Sequence, residues 1–414
     1  MTSRIFVAIC CALLGVTTPT LPATIRVPLE EPTIQDGIDA AVGGDTVLVA
    51  CGTYFEHGIY LGRSGIVLRS EGGDADCVTI DAQQRGQVMY CEDLDSTTRI
   101  EGFTITGGYA QQGGGMLCWM ASPAIVDCDV AENEAYEGGG GVSSFYGSPS
   151  FLRCTFRDNS ARGGGALSAL GVSTLTGCVF VRNSASEAGG AIAFGSVGRD
   201  YPVLQSCTFA LNAASNGAGI ACRFGAMVLL ERSILAFGGG GGAAVSCDGV
   251  SAATLTCCDV FGNGGGDWVG CLDGQYGVNG NFAADPIFCG AAMNDFTLHA
   301  ASPCAPGNSP GGCSLVGALP VGCGVEGVGE GGWVAASGLR VMRNPARVVA
   351  ELVLEGGGPE VLEILDAQGR LVERVPGSGG RWTWEPGGAR PAGVYFARLL
   401  GGGDQAAVKF AYMR

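Results

Sequence analysis

Lysine occurs once in this 414-residue chain, at Lys409, and histidine twice, at His57 and His299. Charged residues make up only 15%, and 39 Asp and Glu outnumber 23 Lys and Arg, a formal net charge of −16. Such a surface repels phosphate backbones and anionic lipid, so nucleic acid is excluded as a partner. With two His, and no C-x-x-C pair matched by a second Cys or His pair, a zinc site lacks its ligands. Beyond the first residues no apolar stretch is long enough, and free enough of Gly and charge, to cross a bilayer of about 30 Å. The mature chain is therefore expected to hold no transmembrane segment. Gly accounts for 73 residues, yet no G-X-Y period runs through them and 47% of the chain is hydrophobic, which excludes both collagen and simple disorder.

Residues 1–23 read as a cleaved signal peptide: Arg4, an apolar run from Ile5 to Val16, then the turn-prone Thr17, Thr18 and Pro19 before Ala23. That start predicts a secreted or cell-surface protein. Two of the 19 Cys, Cys10 and Cys11, fall within it. The remaining 17 are odd in number, so at least one thiol stays unpaired in a monomer.

The body of the chain repeats with a period of about 25 residues. Each copy opens on a Gly cluster, as in GGGMLCWMASPAIVDCDVAEN and GGGVSSFYGSPSFLRCTFRDN, and closes on Cys, an apolar residue and Asn. The Cys column is Cys128, Cys154, Cys178, Cys207, Ser233 and Cys258; the Asn column is Asn133, Asn159, Asn183, Asn212 and Asn263. A fixed period of this length, holding short β segments and turns, predicts a coil of parallel strands stacked about 4.8 Å apart. Both columns are then structural ladders. Asn tolerates left-handed backbone angles at a bend, and its amide can bond the rungs above and below. Cys154 and Phe156 are placed inward, where Cys acts as a small apolar residue, and Ser233 shows that the column demands no sulfur chemistry. Ladder disulfides are disfavoured. Disulfides are expected instead among Cys271, Cys289, Cys304, Cys313 and Cys323, in a loop-rich closing segment with little core. Before the repeats, Pro32–Ala41 reads as a short amphipathic helix, with Ile34, Ile38 and Ala41 on one face, covering the raw first edge of the stack.

The segment TIQDGIDAAVGGDTVLVACGTYFE resembles the opening of right-handed β-helix proteins of the pectate-lyase-like superfamily, and the Gly-cluster and Cys–Asn rungs resemble their repeats and those of chlamydial polymorphic outer-membrane proteins. Together with ADPIFCGAAMNDFTLHAASPC, similar to closing segments of extracellular β-helix proteins, the likeness spans residues 24–323. It implies a right-handed parallel β-helix with an N-terminal capping helix and a Cys-rich C-terminal cap. That scaffold carries lyases, hydrolases, adhesins and structural proteins alike.

Lyases on this scaffold need outward carboxylates for Ca²⁺ and a base; hydrolases need paired carboxylates. Asp127 and Asp129, flanking Cys128 and expected to point outward together, are the candidate catalytic residues and the candidate Ca²⁺ ligands; no other cofactor is indicated. Against that role, Asp127 is expected beside Arg153 on the next rung, as a surface ion pair worth at most about 1 kcal/mol. Glu92, Asp93, Asp95 and Glu101 read as a solvated corner, and His57 as a surface residue without a fixed partner. The GDD, GHG and Arg-x-Pro-x-x-Arg runs of the enzymes are absent. Trp119, Phe145, Tyr146 and Tyr201 are candidates for a sugar-stacking strip. The expected function is non-enzymatic, in adhesion, surface structure or binding of an extracellular glycan or cell-surface component, with a polysaccharide lyase or glycoside hydrolase as the rival.

After a Gly-rich linker, 324–338, the period stops. Residues 339–414 show short alternating segments, Val348–Leu354, Val361–Asp366, Leu371–Val375, Arg381–Trp384, Val394–Leu400 and Ala407–Met413, which predict a small antiparallel sandwich. Asn344 with Pro345, VLEILDAQGRLVERV, Trp384, PAGVYFARL and VKFAYMR resemble the Ig-like C-terminal sorting domain of type IX secretion cargo and the module of flagellar hook-capping proteins. The resemblance implies export through the periplasm of a diderm bacterium, with outer-membrane secretion machinery as a partner. An accessory sandwich is the plain alternative.

Overall fold

The computed structural model describes residues 22–196 and 201–324 and seven strands within 339–412. The expectations that fall on residues 1–21, on Arg199, on 325–338 and on Asn344 and Pro345 lie outside the described residues. The chain divides into two units after Gly324.

The first unit is a parallel β-solenoid over residues 24–323. Strands Ala124–Val126, Asp129–Ala131, Glu134–Gly138 and Val142–Phe145 make one turn, and Ser150–Leu152, Thr155–Arg157, Ser160–Gly163 and Leu167–Leu170 make the next. Each strand pairs in parallel with its counterpart one turn on. Repetition builds sheets of ten, nine, four and eight strands, here sheets 1 to 4 in order round the turn.

Every corner in this turn is left-handed: Asp127 (φ 51°), Glu132 (56°), Gly139 (62°) and Tyr146 (59°). Gly is required at only one of them. A Cβ on Gly139 would lie 2.0 Å from the Val142 carbonyl oxygen, whereas the other corners accept side chains. The structure corrects the placing of Asn at the left-handed position: Glu132, Asp158, Arg182 and Leu211, each one residue earlier, take it. It also splits Phe151–Phe156, expected as one alternating strand. The corner at Arg153 (φ 52°) resets the alternation, so that Phe151, Cys154 and Phe156 all face inward.

The interior consists of in-register ladders. Val130, Phe156, Phe180, Phe209, Leu235 and Val260 share one column of sheet 2. Its phenylalanines stack with centroids 4.7 Å apart and planes within 4°. Each such buried ring contributes roughly 1.5–3 kcal/mol. The Asn ladder is buried alongside. Asn159 Oδ1 accepts both the backbone and the side-chain N–H of Asn133, each at 3.1 Å. Asn183 and Asn212 repeat the arrangement one turn on at 3.0–3.1 Å. Each amide also donates to an interior carbonyl, as Asn159 does to Val130 at 2.8 Å. These bonds satisfy groups at the corner that water cannot reach.

Cys128, Cys154, Cys178, Cys207 and Cys258 are buried and reduced. Their thiols donate to nearby carbonyls, Cys128 to Val126 at 3.3 Å and Cys258 to Thr256 at 3.3 Å. Ser233 does the same with its hydroxyl and also accepts the Cys207 N–H at 3.1 Å. The hydrogen bond to Cys154 and burial hold the Cys128 thiol far above its ordinary pKa, and burial does so for Cys154 and Cys178.

Both ends are closed. Helix Ile34–Ala40 packs Ile34 and Ile38 on the first turn, with Thr33 as its N-cap. Gly37 is small because a Cβ there would meet Val27 and Val47 within 2.9 Å. At the other end Leu272 enters the core, while Gln275 accepts the Leu255 N–H at 2.9 Å and donates to Ala253 at 2.8 Å. The segment from Phe282 onward, expected to be an end cap, instead doubles back along the outer face of sheet 2. Phe296 covers Val179, Val181 and Ala210, and Phe282, Leu298 and Val316 cover Ile234 and Ala236. Disulfides join Cys51 to Cys77, Cys247 to Cys271, Cys257 to Cys313 and Cys289 to Cys323. Of the five cysteines expected to pair among themselves, only Cys289 and Cys323 do so; Cys271 and Cys313 pair with Cys247 and Cys257 outside that set, Cys304 remains a buried thiol, and the Cys51–Cys77 bridge at the N-terminal end was not anticipated.

The second unit is an antiparallel sheet of Leu339–Val341, Ala350–Leu354, Val361–Leu365, Leu371–Ser378, Arg381–Trp384, Gly393–Leu399 and Ala407–Tyr412. Six of the seven strands fall on the expected segments; Leu339–Val341 is additional. Trp382, Trp384, Tyr395, Leu362 and Ile364 are buried, and buried Glu363 is paired with Arg374 at 3.0 Å.

Candidate functional site

The two candidate carboxylates do not converge on one centre. Asp127 is held by Arg153 through two bonds, 2.7 and 2.6 Å. That is the surface pair the one-turn spacing implied. Asp129, first residue of its sheet 2 strand, is held instead by Arg157 at 2.9 Å. Arg157 also reaches Glu132 at 3.3 Å. Burial pushes the Asp129 carboxyl above its ordinary pKa against the pull of Arg157, and its Oδ1 is buried with no hydrogen-bond partner. Beside it a groove of about 610 Å³ is lined by Asp81, Gln83, Thr104, Thr106, Glu132 and Arg157. Among the described residues no three His, Cys, Asp or Glu side chains are grouped to hold a metal ion.

The other acidic candidates are dispersed. Asp95 is exposed and accepts the backbone and hydroxyl of Thr97, bonds that lower its pKa. Glu101 pairs with Arg99 at 2.9 Å. Asp93 is an exposed left-handed corner, and His57 is exposed in the loop before Ile59.

The aromatic candidates, in contrast, are brought together. Parallel register places Glu92, Trp119, Phe145, Leu170, Gly195 and Arg223 in one outward ladder of sheet 4. The Trp119 ring lies 5.7 Å from Phe145 and 5.4 Å from Tyr146. Tyr146 is 57% exposed and Phe224, the equivalent corner later in the sheet, 71%. Tyr60 and Tyr90 stand in the neighbouring outward column, in register with Leu117, on the N-terminal side of the strip, their rings 5.8 Å apart. Both hydroxyls donate to Glu92 at 2.9 Å. Burial and that bond push the Tyr90 hydroxyl up to about 12. Tyr201 is exposed but makes no ring contact with this group among the described residues. Tyr60, Tyr90, Leu170 and Phe224 were not foreseen; aligning the copies on their Gly clusters puts Trp119 and Phe145 in one column, but sets Ala169 beside them, and only the strand register brings Leu170 into it.

An aromatic strip flanked by fixed hydrogen-bonding groups can take up the C–H faces of sugar rings and bond their hydroxyls. No protein-family model matches the chain, and no curated protein matches it.

Proposed function

We propose that this chain is an exported, non-enzymatic β-solenoid that binds extracellular glycan along the aromatic strip of sheet 4. The observation that carries the reading is the grouping of Trp119, Phe145 and Tyr146, extended in register by Leu170 and, at the equivalent corner three turns after Tyr146, by Phe224. Exposed rings aligned over successive turns form a platform for a linear polymer. The solenoid is taken as right-handed, the hand of nearly all parallel crossover connections, in keeping with the resemblance to the pectate-lyase-like superfamily. The C-terminal antiparallel unit is assigned as an Ig-like sorting domain of the type IX kind. It would deliver the protein through the periplasm of a diderm bacterium to the cell surface or medium, with outer-membrane secretion machinery as its partner. The strand order on the sequence segments that resemble that domain supports this assignment.

Asp129 favours a second reading, a polysaccharide lyase or glycoside hydrolase. Its carboxyl has a raised pKa, it adjoins Arg157, and it stands beside an open groove. One assay separates the two. The protein is incubated with a panel of neutral and acidic polysaccharides, with and without Ca²⁺, and both retention and newly formed chain ends are measured. Retention without new ends, reduced by Trp119→Ala, supports binding. New ends that vanish in Asp129→Asn establish the enzyme.

A further inference from the structure

We propose that the notch bordered by Leu170, Gly195 and Phe224 is a subsite for one sugar residue of an uncharged polysaccharide, set into the aromatic ladder of sheet 4. The inference rests on the glycan-binding reading and gives it a substrate class.

Along the ladder, Trp119, Phe145 and Leu170 present large apolar side chains and Arg223 a long cationic one. Gly195, between Leu170 and Arg223, presents none. Its φ is not in the left-handed region, so the backbone does not require Gly there. What glycine provides is room for its neighbours: a Cβ would lie 2.3 Å from Leu170 Cδ2 and 3.4 Å from Phe224 Cδ2, so both side chains lean in over buried Gly195 from the two neighbouring turns and border the space beside it. The result is a notch of about 200 Å³. That is roughly the share of six or seven liquid waters, the scale of a single sugar ring. Phe145, Leu170 and Phe224 give the notch an apolar lining, and Ser168 and Arg223 also line it. The apolar lining suits the C–H face of a sugar, and the guanidinium and the Ser168 hydroxyl suit its hydroxyls.

The charges select against a polyanion. Glu137 also lines the notch, fixed by Gln111 at 2.8 Å and Gln112 at 2.6 Å. Glu92 is fixed at the head of the strip by Tyr60 and Tyr90. Neither carboxylate has an Arg or Lys among its bonded partners here, and the chain as a whole carries −16. Arg223 is the one cation among the residues lining the notch, and Glu137 lines it too.

The test uses the exported chain, residues 24–414, with xylan, mannan and mixed-linkage β-glucan as neutral probes, and polygalacturonate and chitosan as charged ones. Binding is followed by affinity electrophoresis and calorimetry, with thermal unfolding as the control for folding. The expected result is retention by at least one neutral polysaccharide and a tenfold or greater loss of affinity in both Gly195→Leu, whose side chain displaces Leu170 from the notch lining, and Phe224→Ala, which removes an exposed ring that lines it. Phe224→Ala keeps the test decisive if Gly195→Leu does not fold. Neutral-glycan binding that is lost in Trp119→Ala but unchanged in Phe224→Ala and Gly195→Leu would overturn the subsite while leaving glycan binding standing. Tighter binding of polygalacturonate or chitosan would overturn the substrate class, and retention by no polysaccharide would overturn both readings.

Discussion

The Cys304 thiol donates to Asp259 Oδ2 at 3.2 Å, across the seam where the doubled-back segment meets the outer face of sheet 2. Asp259 occupies the same outward ladder as Asp129, Thr155, Val179, Thr208 and Ile234. The returning chain converts that outward position into a buried one.

Burial pushes the Asp259 carboxyl up to about 7, and Asp267 and Asp285 act in the same direction. The folded state therefore keeps a proton that the unfolded chain gives up near 3.8. The consequence has a definite sign: between about pH 4 and 7 the folded state binds more protons, so this residue's contribution to stability falls as pH rises, and levels off above 7. The full effect is on the order of 4 kcal/mol at 1.36 kcal/mol per unit. Urea unfolding at pH 5 and pH 8 should show a drop in stability that Asp259→Asn removes. An equal drop in wild type and variant would contradict the assignment.

Asn159→Ala takes away the acceptor of two Asn133 donors and a donor to Val130, all buried. Leaving such groups unpaired costs about 1–3 kcal/mol each, so a loss of roughly 3 kcal/mol or more is expected in the urea midpoint. Ser233→Ala, which removes one hydroxyl bonded to Cys207 and Glu231, should cost less.

Asp127→Ala breaks a pair whose side chains are 29% and 55% exposed. The expected change in stability is below about 1 kcal/mol, with glycan retention unaltered. A large loss of either would give Asp127 a role that its contact with Arg153 does not.

Nine thiols are buried among the described residues and eight cysteines are joined in pairs. A thiol reagent should find almost none in native protein comprising residues 24–414, and nine after denaturation without reductant. Fewer than nine would mean that ladder cysteines cross-link.

If residues 339–414 are the secretion address, a chain lacking them should fold and remain in the periplasm of its native host. Arrival of the truncated protein at the surface or in the medium would contradict that role.

The solenoid is legible in the sequence because its corners recur at fixed spacing and each demands a residue type: Gly139 for a close carbonyl, Asn159 for an unpaired corner. The return of the C-terminal segment is not. Val179, Val181 and Ile234 are apolar in outward positions, and a lone strand cannot reveal whether such residues meet another segment or the core. Cysteine pairing is equally hidden. Cys51 and Cys77 lie one turn apart with Cα atoms 4.6 Å from each other, a separation that the stacking of turns also gives Cys128 and Cys154, yet only the first pair is bridged. What distinguishes them is direction, since the ladder thiols point into the core toward carbonyls. The strip on sheet 4 was half visible: Trp119, Phe145 and Tyr146 stand out as aromatics, but the gap at Gly195 has meaning only once register places it among them.

The most direct measurement is a crystal structure of residues 24–414 with an oligosaccharide of the neutral polysaccharide that is retained most strongly. Sugar density over Trp119, Phe145 and Leu170, with one ring in the notch at Gly195, is the predicted result. Sugar lying instead in the groove beside Asp129 and Arg157, with the strip bare, would contradict the account.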